Sequence, residues 1–371
     1  MKNISRVFKR TDILLLFICV TISAISIFLL YLMSSSLFIN KRLFIVQLIA
    51  SILGLLFAIL ISSVDYHTIS KLWKFYVPIS VILVILTFFI GTQRGNADDK
   101  AWIMLPLGLS IQPAEFLKIC FIITFSLHLS LVKNNINTLK NISLLLLHAI
   151  VPIILIHLQG DDGTCLMFIM IFIVMLFSAG ISWKYIIISI ISVLLLSPCV
   201  WYLLNEDQRN RILIMFHPES DQYGIGYQQF RGLISIGNGG FVGQGIANNN
   251  YELVPEMQND FIFSFSSQIL GYAGSILILL LFLILFLRIL LISLKCNDLL
   301  GKFICIGVFA MLASQTIFNI GMNLSILPVI GITLPLMSSG GSSIITTYLG
   351  IGLVLSVYTY NNNTLFYKYK I

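Results

Sequence analysis

Ten mainly apolar runs divide this 371-residue chain, at about 13–33, 43–62, 75–91, 114–131, 142–158, 163–179, 185–204, 261–291, 303–324 and 342–358. A helix needs about 20 apolar residues to cross a hydrocarbon core of about 30 Å. Runs of this length and number leave little room for any fold but a helical bundle in a bilayer. Composition agrees: 58% of residues are hydrophobic, 10% are charged and the mean hydropathy is +0.98, whereas a soluble domain carries about 25% charged residues. The chain is predicted to be an all-α polytopic membrane protein with about ten transmembrane helices, a single membrane domain over 1–371. The first run ends in Ser34-Ser35-Ser36 without a small-residue cleavage site, so it reads as a retained helix.

The net charge of +7 follows from topology. An even number of crossings puts both termini on one side. With that side assigned to the cytoplasm, it holds fourteen Lys and Arg, including Lys2, Arg6, Lys9, Arg10, Lys368 and Lys370. The outside holds seven: Lys41, Arg42, Arg94, Lys100, Arg209, Arg211 and Arg231. This two-to-one bias satisfies the positive-inside rule. Three acids lie inside and eleven outside, leaving +11 on the cytoplasmic face and −4 on the outer one. The basic residues form no dense run, which argues against a nucleic-acid partner. The six cysteines show no CxxC and no metal-ligand spacing, and read as small core hydrophobes.

Short loops leave three places for chemistry: the outside loop 92–111, a large extracytoplasmic loop over 205–260, and Ser325 to Gly341. The last is apolar but broken by Pro328, Pro335 and Gly340-Gly341. It reads as a re-entrant loop packed against protein, because lipid-exposed irregular backbone is not tolerated. The eighth run spans 31 residues, about 46 Å as a helix and too long for the core. Its first turns should stand above the bilayer or bend at Gly271 or Gly274.

Ionisable groups at membrane depth are costly and therefore informative. Glu115 and Lys118 lie three apart on one helix face, either as a structural ion pair, or as a polar floor for a headgroup or a relay to a catalytic acid. His128, His148 and His157 read as isolated core or interface histidines. In Gln159-Gly160-Asp161-Asp162-Gly163-Thr164, helix capping is expected of Thr164 and Asp162 more than of Asp161. Asp98-Asp99-Lys100 reads as a solvated loop tip. Gly237, Gly239, Gly240, Gly243 and Gly245 give a backbone able to approach a ligand or take positive φ. Asp260 joins a polar loop to an apolar membrane entry, where partial desolvation favours general-base use; capping of the eighth helix competes with that reading.

Several blocks, in order along nearly the whole chain, resemble the SEDS family (shape, elongation, division and sporulation; the RodA, FtsW and SpoVE type). WIMLPLGLSIQPAEFLKI (102–119) is similar to the family's RW-x-x-L-x-x-QPSE-x-x-K segment, and QGDDGT (159–164) to QPDLGT. GYQ (226–228) with ISIGNGGFVGQG resembles GYQ…AIGSGG-x-x-G-x-G, and PEMQNDFIF resembles PE-x-HTDFIF. QTIFNIGMNLSILPVIGITLPLMSSGGSS is close to Q-x-x-x-NIGM…LPV-x-G-x-PLP-x-x-SYGGSS. The sequence departs at Ala101, His217, Arg231-Gly232, Gln258, Asn259, Gln268, Ile269 and Ser339.

The resemblance implies a peptidoglycan glycosyltransferase of the bacterial cytoplasmic membrane that polymerises lipid II on the outer face. Asp260 takes the place of the family's catalytic aspartate. Substrate contacts fall to Glu115, Lys118, Trp102, Lys100, Asp161, Arg209, Arg211, Tyr227, Gln228, Glu256, Gln315, Asn319, Ser338, Gly340 and Gly341. An outer face of −4 should repel a pyrophosphate, so local cations (Lys100, Lys118, Arg209, Arg211 or Arg231) or a divalent Mg²⁺ or Mn²⁺ shared with the substrate phosphates must offset it. The implied partners are a class B penicillin-binding protein (transpeptidase) and other elongasome or divisome membrane proteins. A lipid II flippase or transporter, and a weakly active scaffold that activates a partner synthase, are the alternatives.

Overall fold

The computed structural model describes residues 11–36, 40–92, 100–106, 109–221, 223–246 and 251–361. Lys2, Arg6, Lys9, Arg10, Arg94, Asp98, Asp99, Lys368 and Lys370 lie outside the described residues. The helices, in order, are α1 (Ile13–Ser36), α2 (Lys41–Ser62), α3 (Tyr66–Lys71), α4 (Trp73–Ile90), α5 (Pro113–Val132), α6 (Leu139–His157), α7 (Asp162–Ser178), α8 (Trp183–Leu203), α9 (Glu206–Ile214), α10 (Tyr227–Asn238), α11 (Ile262–Lys295), α12 (Leu299–Asn323) and α13 (Gly341–Asn361). All ten apolar runs are helices. Eight have the length and apolarity to cross a membrane, while α7 and the stretch Trp183–Cys199 of α8 are apolar but shorter. Loop 92–111 adds a two-stranded antiparallel ribbon, β1 (Ile103–Met104) with β2 (Ser110–Ile111).

The bundle is built around α12 and α13, the two most buried of the eight spans. The first packs against α11, α7 and α5, the second along α2 and α5. The lipid-facing helices α4 and α6 show mostly exposed apolar side chains, as expected where the solvent is hydrocarbon.

Residues 324–340 form the irregular segment between α12 and α13. It enters the bundle: the Met337 carbonyl accepts from Ser26 Oγ, ten residues, about 15 Å, below the end of α1. Gln47 of α2 donates to the Ser338 carbonyl (3.1 Å) and accepts from the Gly340 N–H (3.3 Å). Polar side chains on membrane helices thus satisfy backbone that lipid could not, which is what a re-entrant loop requires.

The long helix α11 is broken at Gly271, whose φ of 68° and ψ of −168° interrupt the helical ladder. The break orphans the carbonyls of Gln268 and Ile269, and the glycine-rich stretch after α10 closes them. Gln244 N–H donates to Gln268 O (2.9 Å) and Gly245 N–H to Ile269 O (3.2 Å), while Tyr272 and Ala273 N–H groups donate to Gly240 O and Phe241 O (2.9 and 3.1 Å). Of the two uses expected of these glycines, Gly240, Gly243 and Gly245 take positive φ, and Gly239 and Gly243 let one backbone lie directly on another. A Cβ on Gly243 (φ 89°) would stand 2.1 Å from Ile269 O. Gly243→Ala is therefore expected to destabilise the protein by about 1–3 kcal/mol through overpacking, with further strain from the left-handed φ. A thermal unfolding midpoint in detergent equal to wild type would contradict this.

Candidate active site

The turn before α11 presents three consecutive carbonyls, and each is held from elsewhere in the bundle. Gln258 O accepts from the Ser339 N–H (2.8 Å) and Asn259 O from Ser338 Oγ (2.6 Å). Asp260 O accepts from both Asn319 Nδ2 (2.9 Å) and Asn323 Nδ2 (2.8 Å) of α12. Asn319 also donates to Ile332 O (2.7 Å). Asp260 is thus tied through its main chain to α12, which grips the re-entrant segment as well. Glu256 shapes the turn from inside. Its φ of 55° is left-handed, and its Oε2 accepts from Asn259 Nδ2 (2.6 Å) and Gln258 Nε2 (3.2 Å).

The carboxylate itself faces the re-entrant segment: a Cβ on Gly331 (φ 68°) would lie 3.7 Å from Asp260 Oδ2. The two residues before Gly331 meet other candidates. Gly163 of α7 abuts Ile330 O so closely that a Cβ would stand 2.4 Å from it, and Arg211 of α9 donates to Val329 O (3.3 Å). Residues 329–331 therefore gather Asp260, the start of α7 and an exposed guanidinium around one strip of backbone. One turn from Asn319, Gln315 is buried and its Oε1 has no partner among the described residues.

Glu115 and Lys118 lie in the bundle interior, 5% and 1% exposed. Lys118 Nζ meets Glu115 Oε1 at 2.7 Å, and the other oxygen accepts from Thr346 Oγ1 of α13 (2.9 Å). The pair is arranged as a structural link between α5 and α13. Nearby, the cap of α7 is Asp161: its Oδ1 accepts from the Thr164 N–H (2.9 Å) and its Oδ2 from Gln112 Nε2 (2.5 Å). This corrects the expectation that Asp162 and Thr164 do the capping. Asp162 instead meets His157 Nδ1 (2.8 Å) and Gln208 Nε2 (2.6 Å). Burial pushes the Asp161 carboxyl up, opposed by hydrogen bonds from Thr164 and Gln112 and by the Lys118 charge.

The remaining candidates divide by what they touch. Arg209 closes the end of α8, donating to Trp201 O (2.8 Å) and Tyr202 O (2.7 Å). Arg231 pairs with Glu252 (2.6 Å) and lies 5.7 Å from the centre of the Tyr227 ring. Lys100 is exposed, and Trp102 joins the loop ribbon through its carbonyl, which accepts from the Thr92 N–H (2.8 Å). Gln228 is half-buried, whereas the fully buried neighbour Gln229 reaches Leu327 O (2.8 Å). Ser338 is placed on Asn259 O, Gly340 ends the irregular segment at Gln47, and Gly341 starts α13 beside Val46. His128 and His148 are not isolated: their Nδ1 atoms are 3.2 Å apart, while His157 is exposed at a helix end. Sequence reasoning missed Gln47, Gln112, Gln229, Asn323 and Thr346, although a buried amide in an apolar helix is itself a signal of a partner.

This bundle, with a pinned aspartate facing a re-entrant segment, is a multi-pass membrane protein of the class the sequence blocks resemble. The family described as "Cell cycle protein" (FtsW, RodA, SpoVE) matches residues 9–363. Stage V sporulation protein E of Bacillus subtilis (strain 168) is 32% identical over 368 residues, covering 95% of this chain and 99% of that protein. Peptidoglycan glycosyltransferase MrdB of Escherichia coli (strain K12) is 32% identical over 301 residues, 78% of this chain and 80% of that one. A chain solved in work on a peptidoglycan synthase complex that coordinates polymerization and crosslinking superposes with a TM-score of 0.82 at 28% identity, over 95% of this chain and 98% of that one. The rod shape determining protein RodA of Thermus thermophilus shares the fold, with a TM-score of 0.70 at 24% identity over 95% and 97% of the two chains. The protein belongs to the SEDS (FtsW, RodA, SpoVE) family of peptidoglycan glycosyltransferases.

Proposed function

We propose that the protein polymerises glycan strands from lipid II on the outer face of the bacterial cytoplasmic membrane, with both termini in the cytoplasm and Asp260 as general base. The observation that carries this reading is the fixed main chain of Asp260, whose carboxylate faces Gly331 while Arg211 holds Val329 O two residues away. The acceptor is the GlcNAc 4-hydroxyl of one lipid II, and the donor is a strand joined through MurNAc C1 to undecaprenyl pyrophosphate. The hydroxyl oxygen bonds to C1 as its proton passes to Asp260, and the C1–O bond breaks with its electron pair leaving on the pyrophosphate. Attack from the opposite face turns an α-linked donor into a β-1,4 product. One carboxylate suffices, because pyrophosphate leaves as a stabilised anion and needs charge neutralisation rather than the acid a glycosidase supplies.

Arg211 is the cation that reaches the strip of backbone facing Asp260. Lys118 is paired with Glu115 and Arg231 with Glu252, Arg209 reaches the end of α8, and Lys100 is exposed in the loop before Trp102. Among the described residues no group of three or more His, Cys, Asp or Glu gathers into a metal cage. Magnesium or manganese would therefore be held chiefly by the substrate's phosphate oxygens and would supply further charge neutralisation. The partner is a class B penicillin-binding protein that crosslinks the strand, a reading supported by the likeness to a chain of a polymerising and crosslinking complex.

The test is the reaction itself: purified protein with lipid II, alone and with its class B partner, should yield glycan strands. Failure to form polymer under either condition, together with movement of lipid II across vesicles, would replace this reading with a flippase.

A further inference from the structure

We propose that Asn323 is a positioning residue for glycosyl transfer, acting on Asp260 through the main chain; this rests on the function proposed above. Asn323 lies in the last turn of α12 and is fully buried, 0% exposed. Its polar atoms divide between two tasks. Nδ2 donates to Asp260 O (2.8 Å) and to Asn319 O (2.8 Å). Oδ1 accepts from both the N–H (3.0 Å) and the hydroxyl (2.6 Å) of Ser264. The orientation of the amide is fixed, because the Ser264 N–H can only donate and so must face the oxygen.

The second task explains the first. Ser264 is the third residue of α11, and its N–H is one of the four that a helix leaves without an internal acceptor. The residue that would normally cap it is Phe261, which has no polar side chain and makes no cap hydrogen bond. Asn323 supplies the cap from a different helix, as a local Asn or Asp would. One side chain thus sets where α11 begins and where the carbonyl of the preceding residue, Asp260, must point. Asn319 shares the Asp260 carbonyl but leaves Ser264 alone and spends its other N–H on Ile332 O. Among the described residues, Asn323 alone is hydrogen-bonded through its side chain both to Asp260 O and to the first turn of α11.

Two substitutions separate position from stability. Ser264→Ala removes one hydrogen bond of the cap and leaves both donors on Asp260 O. Asn323→Leu keeps the volume but removes cap and clamp together. Turnover of saturating lipid II by Asn323→Leu should fall about 10- to 100-fold, the scale of a displacement near 1 Å, with KM within about twofold; Ser264→Ala should retain kcat within about threefold. Backbone amide exchange at Ser264 should accelerate more than about tenfold in Asn323→Leu, whatever reaction the protein catalyses. If Asn323→Leu does not fold, Asn323→Asp serves the kcat comparison alone, because it loses the donor to Asp260 O and keeps an oxygen toward Ser264, so exchange at Ser264 should stay near wild type. Wild-type kcat in the Asn323 variant, equal loss in Ser264→Ala, or unchanged exchange at Ser264 in Asn323→Leu would overturn the proposal. A wild-type protein that forms no glycan, or an Asp260→Asn variant that forms it normally, would instead remove the function on which it rests, and the exchange measurement would still decide the clamp.

Discussion

Lys118→Met is expected to destabilise the protein by about 3–5 kcal/mol, the cost of leaving a buried charge without its partner. Lys118 is 1% exposed and meets Glu115 at 2.7 Å, so its loss strands a carboxylate in the bundle whose remaining donor, among the described residues, is Thr346. Glu115→Gln combined with Lys118→Met removes both charges, leaves a neutral amide facing Thr346, and should recover much of the loss. The asymmetry is diagnostic, because a buried pair is held against its own desolvation and only its halves are intolerable. Thermal unfolding in detergent measures it. A single variant as stable as wild type, or a double variant no better than the single, would mean the pair is not the link between α5 and α13 described above.

The parts of the fold that depend on period and length were legible in the chain. Ten apolar runs became ten helices, the overlong eighth run broke at Gly271, one of two glycines flagged for it, and the Pro- and Gly-interrupted stretch before α13 entered the bundle. What could not be read were polar contacts between distant segments. The glycines after α10 looked suited to a ligand because the carbonyls they serve, those of Gln268 and Ile269, are orphaned only once α11 breaks. Glu256 is a substrate contact by resemblance of its block, and nothing local shows that its own turn also supplies it with two amide donors. Asn323 escaped notice for the same reason. Its partners lie 59 and 63 residues away, and only the packing of α12 on α11 brings them together. Asp260 was found because it interrupts an apolar entry and because its block resembles a family motif; its clamped main chain is a result of the tertiary structure.

Asp260→Asn is expected to reduce glycan polymerisation by about 10²–10⁴-fold, the usual contribution of a positioned general base. The change is close to isosteric. It leaves the main-chain contacts to Asn319 and Asn323 in place, so the fold should persist, and it removes the one function the amide cannot perform, acceptance of the acceptor hydroxyl's proton. Because that proton moves in the transition state, the loss should fall on kcat, with KM for lipid II little changed. The most direct test is the rate of glycan formation from lipid II by purified Asp260→Asn protein with its class B partner, alongside its unfolding temperature. The account predicts a rate at least about 10²-fold below wild type at an unchanged unfolding temperature; polymerisation at the wild-type rate would contradict it.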